Sequence, residues 1–258
     1  MNVFAIMATC GRHRCAERAL TCFLKQDYQG EHTLLIHNNS PVSQSINLPP
    51  LPANKHVILL NRSTDEHANR YASLGAIYND SIKVVPSDAD LIIFWDDDDM
   101  YLPNHITSGV EGYKKAQEEG FRAYKPFYSF YRHSGGITLV ANNMEPSVFV
   151  QASEIKRLGF SNTTSDQHMQ WYAGLGDKIF VDMAGKPTLI YNWGDGDKWM
   201  GEQFVEHIPT FKTSGNPGNP SNFENYRGFS QEHGDEVLTP IADELIAAYY
   251  AEVINQNT

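Results

Sequence analysis

The stretch FWDDDDMYLP, residues 94–103, sets four consecutive carboxylates, Asp96, Asp97, Asp98 and Asp99, directly behind the apolar run Leu91-Ile92-Ile93-Phe94-Trp95. Ionised carboxylates a few ångströms apart repel by on the order of 1 kcal/mol even in water, so the row calls for a positive partner. The run before it is apolar at every position, the pattern of a strand covered on both faces in a parallel sheet. In open α/β sheets, ligands gather at the carboxyl ends of such strands. The acids therefore stand where this class of fold places its binding site.

Upstream, Val3-Phe4-Ala5-Ile6-Met7-Ala8 reads as a buried strand entering the loop Thr9-Cys10-Gly11. Ala16, Ala19, Leu20, Phe23 and Leu24 recur at the spacing of one helix face, which predicts a helix over 15–26. Thr33-Leu34-Leu35-Ile36-His37 is the second strand, closed by Asn38-Asn39-Ser40-Pro41. A β-α-β unit implies a parallel pair with a right-handed crossover. The Pro-rich connector 48–52 leads to a third strand over 56–60, and Leu74, Ile77, Tyr78 and Ile82 place a helix over 71–84.

Downstream, a helix is expected over 104–119, ended by Gly120, then an antiparallel pair, 127–131 and 136–140, around His133-Ser134-Gly135. Short helices follow over 153–158, stopped by Gly159, and 166–173, and a last strand over 188–192. The Gly-, Pro-, Asn- and Ser-rich 213–228 reads as a long mobile segment. Leu238, Ile241, Leu245, Tyr249 and Val253 then give a C-terminal helix over 235–254 that docks back on the body. The expected class is α/β: a Rossmann-like, mixed but mostly parallel central sheet flanked by helices, with a C-terminal helical extension.

A chain of 258 residues, 41% hydrophobic, can bury its core as one domain. Cys10, Cys15 and Cys22 are odd in number and lack Cys-x-x-Cys spacing, which reads as reduced thiols in a cytoplasmic protein. No basic, apolar leader opens the sequence, and no apolar run reaches the roughly eighteen residues of a membrane span. The net charge of -11 disfavours non-specific binding to nucleic acid or to anionic membranes. Arg12, His13, Arg14 and Arg18 nevertheless cluster at the first loop, either as a positive mouth for an anionic small molecule or as a solvated basic turn.

Mg²⁺ and Mn²⁺ prefer oxygen ligands and commonly take one or two carboxylates, completing their shell with water and substrate phosphates. If the strand direction persists beyond Trp95, Asp96 and Asp98 share a side and Asp97 faces away, an Asp-x-Asp grip for such a cation, while Asp99 braces the loop. A solvated acidic turn capping the sheet is the other reading of the same four residues.

Taken together, Thr9-Cys10-Gly11-Arg12, Glu17-Arg18-Ala19-Leu20, Leu24-Lys25-Gln26-Asp27-Tyr28, Leu34-Leu35-Ile36-His37-Asn38-Asn39-Ser40 and Phe94-Trp95-Asp96-Asp97-Asp98-Asp99 with Pro103 resemble the nucleotide-sugar half of glycosyltransferase family 2, of GT-A fold. Gly75-Ala76-Ile77-Tyr78-Asn79 is similar to the family's segment ending in Arg-Asn, with Tyr78 in place of the arginine. The resemblance implies a single GT-A domain over 1–210, with 1–110 binding the nucleotide sugar and 111–210 the acceptor, followed by a flexible segment and helix over 211–258.

The same resemblance implies roles for particular residues. Thr9 and Arg12 lie against the nucleotide, and Asn38 or Asn39 touches the base where the family has an aspartate. Asparagine keeps a donor and an acceptor there, so base contact survives while the preference for uracil is open. Asn79 and Asp97 join the donor-binding set, Asp96 contacts ribose or base, and Asp98 with Asp96 holds the Mn²⁺ or Mg²⁺ that bridges the donor's diphosphate. Such a metal acts as a Lewis acid on the leaving group. Inverting members deprotonate the acceptor hydroxyl with an acid on a later helix, and Asp166, after Leu158-Gly159-Phe160, stands at that place; a helix N-cap is its alternative reading. His168 is a second candidate base, with an imidazole packed on the helix or touching the acceptor as the other readings. Gln167-His168-Met169-Gln170-Trp171 lacks the arginine of the processive synthases' Gln-x-x-Arg-Trp.

Tyr191-Asn192-Trp193-Gly194-Asp195 is similar to a late strand and loop that in many members lead to a metal-binding histidine. Trp199 stands near that position, which leaves His207 as a third-ligand candidate or an ordinary histidine. Trp171, Trp193, Trp199, Tyr128 and Tyr131 are either sugar-stacking faces or core, and the segment after Thr213 is a lid or a connector. The implied activity is a metal-dependent, inverting transfer of a sugar from a nucleotide-diphosphate sugar, a UDP-sugar first, to a hydroxyl of a glycan, lipid-linked sugar, protein or nucleobase. A sugar nucleotidyltransferase would open on a Gly-rich loop with lysine, and Cys10-Gly11-Arg12-His13-Arg14 has one glycine and no lysine. A non-catalytic nucleotide-sugar or carbohydrate-binding module on the same fold is the remaining alternative.

Overall fold

Strand β1 (Val3–Thr9) sends Val3, Ala5 and Met7 to one face and Phe4 and Ile6 to the other, and all five are buried. A strand apolar on both faces belongs inside a sheet with helices on each side. The computed structural model describes residues 1–133, 136–141, 145–164 and 167–192. After β1 come α1 (His13–Leu24), β2 (His32–Asn38), β3 (Lys55–Asn61), α2 (Leu74–Ile82), β4 (Leu91–Phe94), β5 (Met100–Tyr101) and α3 (His105–Glu118). β6 (Ala123–Pro126), β7 (Tyr128–His133), β8 (Gly136–Ala141), β9 (Phe149–Gln151), α4 (Ala152–Leu158), α5 (Met169–Leu175), β10 (Ile179–Asp182) and β11 (Leu189–Asn192) follow.

Seven strands form the main sheet in the order β10-β6-β9-β4-β1-β2-β3. β1 pairs in parallel with β2, Val3 opposite His32, and with β4, Val3 opposite Leu91, while β2 pairs in parallel with β3. β9 runs antiparallel to both β4 and β6, so the sheet is mixed but mostly parallel. The chain winds outward from β1 to β3 and then crosses back to lay β4 on the other side of β1. That reversal is a topological switch point, and in open α/β sheets the crevice outside the carboxyl ends of the two strands at such a point, here β1 and β4, is where ligands bind. A second sheet, β5-β11-β7-β8, begins at Met100, immediately beyond the acids. Residues 95–99 are thus the bend by which the chain leaves one sheet for the other.

On one face, Ala16, Ala19, Leu20 and Phe23 of α1 and Ile106, Val110 and Tyr113 of α3 pack with Leu91, Ile93 and Trp95. On the other, Tyr78, Ile155, Trp171 and Leu175 cover Phe4, Ile6, Ile92 and Phe94. Each fully buried large apolar side chain contributes about 1.5–3 kcal/mol, so these two layers fix β1 and β4 relative to one another. Trp95 ties the layers to the bend: its indole N–H donates to the Ala19 carbonyl at 2.9 Å, and its ring stacks on Tyr101 at 3.7 Å.

Strands β1 to β4 and β7, β8 and β11, and helices α1, α3 and α4, fall within a residue or two of the spans expected from sequence. α2 is shorter than expected, because Ser73 caps it by accepting from the Ala76 N–H at 3.2 Å and Tyr71 turns away to Asp80. α5 begins at Met169 rather than at residue 166. The strands β5, β6, β9 and β10 were not expected. The C-terminal helix over 235–254, the segment 213–228 and the hairpin tip at Ser134-Gly135 lie outside the described residues. Among the described residues, no helix is long and apolar enough to cross a membrane.

Candidate active site

Regular strand pairing ends at Phe94, although the Trp95 N–H still donates to the Ile6 carbonyl at 2.9 Å. The chain then turns at Asp97-Asp98, so the strand direction does not persist through the acids and their facing comes from the turn. Asp97 and Asp99 are buried, at 0% and 1% exposure, while Asp96 and Asp98 are partly exposed. Two of the four aspartates therefore keep access to solvent and two are withdrawn into the protein.

The withdrawn charge is met by an internal cation. Arg12, at the end of the loop that follows β1, donates through Nη2 to Asp97 Oδ1 and through Nη1 to Asp98 Oδ2, the latter at 2.8 Å. Arg18, buried on α1, donates to the Asp98 carbonyl at 2.9 Å. Burial works against the charge on Arg12, but Asp97 and Asp98 outweigh it and hold its pKa above the ordinary arginine value. Burial pushes the Asp97 carboxyl up to about 6, against the lowering pull of Arg12 and with the repulsion of Asp98 added. The desolvation of a fully enclosed carboxylate here exceeds what its ion pair returns.

Asp96 is framed by two tyrosines. Its backbone N–H donates to the Tyr101 hydroxyl at 2.6 Å, and the Tyr78 hydroxyl donates to its Oδ1 at 3.3 Å. The Tyr78 ring stacks on Phe160 at 4.9 Å and meets Phe94 edge-on, which fixes the hydroxyl's direction. The sequence pattern assigns neither tyrosine to Asp96; the departure from Arg-Asn at Tyr78 is its one signal of the arrangement.

The asparagines divide by role. Asn38 is fully buried, and its side chain is committed: Nδ2 donates to the Val42 carbonyl at 2.9 Å and to Asn61 Oδ1 at 2.8 Å, and Oδ1 accepts from the Ser40 N–H. It staples the loop after β2 onto β3. Asn39 is partly exposed at the carboxyl end of β2, seated there by its N–H to the buried Thr9 carbonyl at 2.9 Å. Asn79 clamps Phe160 at both backbone groups, each at 2.9 Å, and so joins α2 to the segment leading into α5.

Several sequence expectations concern other places. Asp166, His207, Trp193 and Trp199 lie outside the described residues. His168 immediately precedes α5 and is partly buried. Trp171 and Tyr128 are fully buried, and Trp171 stacks on Phe94 at 5.5 Å, so both rings are core rather than open faces. No disulfide involves Cys10, Cys15 or Cys22. Burial raises both the Cys10 and Cys15 thiols, Cys15 to about 11, which disfavours their thiolate forms.

A network that sequence reading missed shapes the neighbouring loop. Asp80 accepts from Arg62 and from the Tyr71 hydroxyl, both at 2.7 Å, and lies 3.4 Å from Lys83. Burial disfavours its charge, but these donors outweigh burial and lower its pKa. Its position inside a helix gave no sign of this in the sequence.

For a divalent cation, the acidic loop offers two partly exposed carboxylates, Asp96 and Asp98, and among the described residues no three or more His, Cys, Asp or Glu side chains are grouped so as to hold a metal ion. Two oxygen ligands on one loop suit Mg²⁺ or Mn²⁺, which fill the remaining positions with water and phosphate oxygens. The donor set fits a metal that arrives with a substrate.

No protein-family profile matches the chain, and no curated protein matches it. Solved structures do. The chain is similar to S. aureus TarS 1-349, at 12% identity and a TM-score of 0.54, over 75% of this chain and 61% of that one. The same protein crystallised with UDP-GlcNAc matches at 13% identity and 0.54, over 80% and 62%, and with UDP at 11% and 0.53, over 74% and 60%. The chain thus spans about three-fifths of the length of the TarS chains it matches. At these identities the likeness establishes the fold, a GT-A type α/β architecture.

Proposed function

We propose that the chain is a metal-dependent, inverting glycosyltransferase that moves a sugar from a nucleotide-diphosphate sugar, a UDP-sugar first, to an acceptor hydroxyl. One observation carries the reading: Asp96 and Asp98 present partly exposed carboxylates at the carboxyl end of β4, at the switch point of the sheet. The fold is that of TarS, a protein crystallised with UDP-GlcNAc, which favours this donor class. In this reading residues 1–110 bind the donor and 111–210 the acceptor.

Asp96 and Asp98 would hold Mn²⁺ or Mg²⁺, which when bound supplies Lewis-acid stabilisation of the departing diphosphate. The protein's own groups do the rest. Asn39 meets the base from the end of β2, the loop from the buried Thr9 to Arg12 lies against the nucleotide, and Tyr78 and Tyr101 keep Asp96 in place. Asp166 takes the proton from the acceptor hydroxyl, a contribution of about 10²–10⁴-fold for a positioned base.

Incubation with UDP-sugars and Mn²⁺ tests the proposal through release of free UDP, by slow hydrolysis or by transfer. Asp98→Ala should abolish metal-dependent donor binding, and Asp166→Ala should spare it while removing transfer. Donor binding by the wild-type chain with no UDP release under any acceptor would point to a non-catalytic binding module instead.

A further inference from the structure

The acids of the crevice already have a cation, and it belongs to the chain. Arg12 bridges Asp97 and Asp98 at once, and Arg18 adds a second positive charge at the Asp98 carbonyl. The two bridged carboxylates differ in access: the Asp97 side chain is 0% exposed and that of Asp98 22%. Arg12 is itself only 13% exposed, so its guanidinium sits inside the wall of the site rather than out in solvent. A divalent ion approaching Asp98 meets an oxygen already engaged by Arg12 and a fixed positive charge close behind it. Like charges a few ångströms apart in a half-buried setting repel by several kcal/mol.

We infer that Arg12 is a displaceable counter-ion that makes metal binding conditional on the donor's diphosphate. The inference rests on the functional reading above. Metal alone competes with Arg12 for Asp98 and loses. A diphosphate changes the balance, because it brings negative charge for which a guanidinium is a good partner. Arg12 then releases Asp98, keeps Asp97, and turns its freed N–H groups to the phosphate oxygens, while Asp98 takes the metal. Asp97, buried and inaccessible to the metal, is the anchor about which Arg12 turns. The pair Asp97–Arg12 thus determines the order in which ligands bind without contacting the transferred sugar.

The test measures Mn²⁺ binding by the full chain, from the electron paramagnetic resonance signal of free Mn²⁺, with and without saturating UDP, each read against the same solution lacking protein because UDP alone also binds Mn²⁺. Wild type should bind Mn²⁺ alone at least tenfold more weakly than with UDP. Arg12→Met, close in length but uncharged, should bind Mn²⁺ alone at least tenfold tighter than wild type, so that its gain from UDP shrinks to what the phosphate oxygens add as ligands. Arg12→Lys, whose single ammonium cannot bridge two carboxylates in the same geometry, should fall between them. Circular dichroism checks folding, and if Arg12→Met does not fold, Arg12→Lys decides. Variants that bind Mn²⁺ no tighter than wild type, while wild type binds Mn²⁺ with UDP, overturn the role of Arg12 alone. A wild-type chain that binds neither UDP nor Mn²⁺ with UDP overturns the functional reading and this inference with it.

Discussion

Replacing Asp97 by asparagine isolates the cost of enclosing a carboxylate in the wall of the crevice. Asp97 is fully buried, and its carboxyl ionises near 6, mainly because burial penalises the charge. In the unfolded chain the same group ionises at about 3.9. The sign follows: below about 3.9 the proton is bound in both states and the stabilising contribution is complete, and it is lost as pH rises through about 6. This is the reverse of a carboxylate whose pKa a cationic partner lowers, which strengthens the fold as pH rises. Linkage puts the loss at about 2 kcal/mol between pH 4.5 and 7.5, out of roughly 3 kcal/mol in all. The amide introduced by Asp97→Asn cannot titrate, yet its oxygen still accepts from Arg12, so the variant keeps that hydrogen bond while its loss of the Asp97 charge leaves no pH dependence at this position. Urea unfolding of wild type and Asp97→Asn at both pH values gives the comparison. The stability difference should move against wild type by about 2 kcal/mol on going to pH 7.5. A difference that stays constant within about 0.5 kcal/mol, or that moves in favour of wild type, refutes the desolvation argument.

Two further substitutions test how the segment before α5 is held. A Cβ added at Gly75 would lie 1.8 Å from the Ser161 carbonyl oxygen, backbone against backbone, so Gly75→Ala should cost on the order of 2–3 kcal/mol in thermal unfolding. Asn79→Ala removes both hydrogen bonds to Phe160 and should cost about 1–3 kcal/mol by the same measurement. Because both residues secure 160–163, the double variant should lose measurably less than the summed single losses.

The parts of the fold legible in the sequence are those whose pattern is local. β1 and β4 are covered on both faces and therefore apolar at nearly every position, and α1 shows its buried stripe because one side packs on the sheet. β9 and β10 span only three and four residues, and β6 carries Lys125 and Pro126. Their strand conformation is imposed by partners far away in sequence, Phe149 opposite Tyr124 and Ile179 opposite Ala123, and no periodicity of two can develop over so few positions. Helix boundaries at α2 were set by Ser73 and by the distant claim of Asp80 on Tyr71, neither of which an apolar pattern encodes.

The site divides in the same way. Four aspartates behind an apolar run identify the carboxyl end of a buried strand, but their individual tasks depend on where the backbone turns. Carried forward as a strand, the stretch assigns facing by alternation alone; the turn at Asp97-Asp98 instead sinks Asp97 onto Arg12 and leaves Asp96 against Tyr78. The opposing charge was visible too, as a cluster of basic residues beside the first loop. What a linear reading lacks is the proximity of β1 and β4, which pairs residue 12 with residues 97 and 98. Once that pairing is known, a net charge of -11 and a row of four acids no longer require an external ion to make the fold possible. Under the proposed function an external ion serves only the chemistry, and the internal pairing of Arg12 with Asp97 and Asp98 lets the site fold without one.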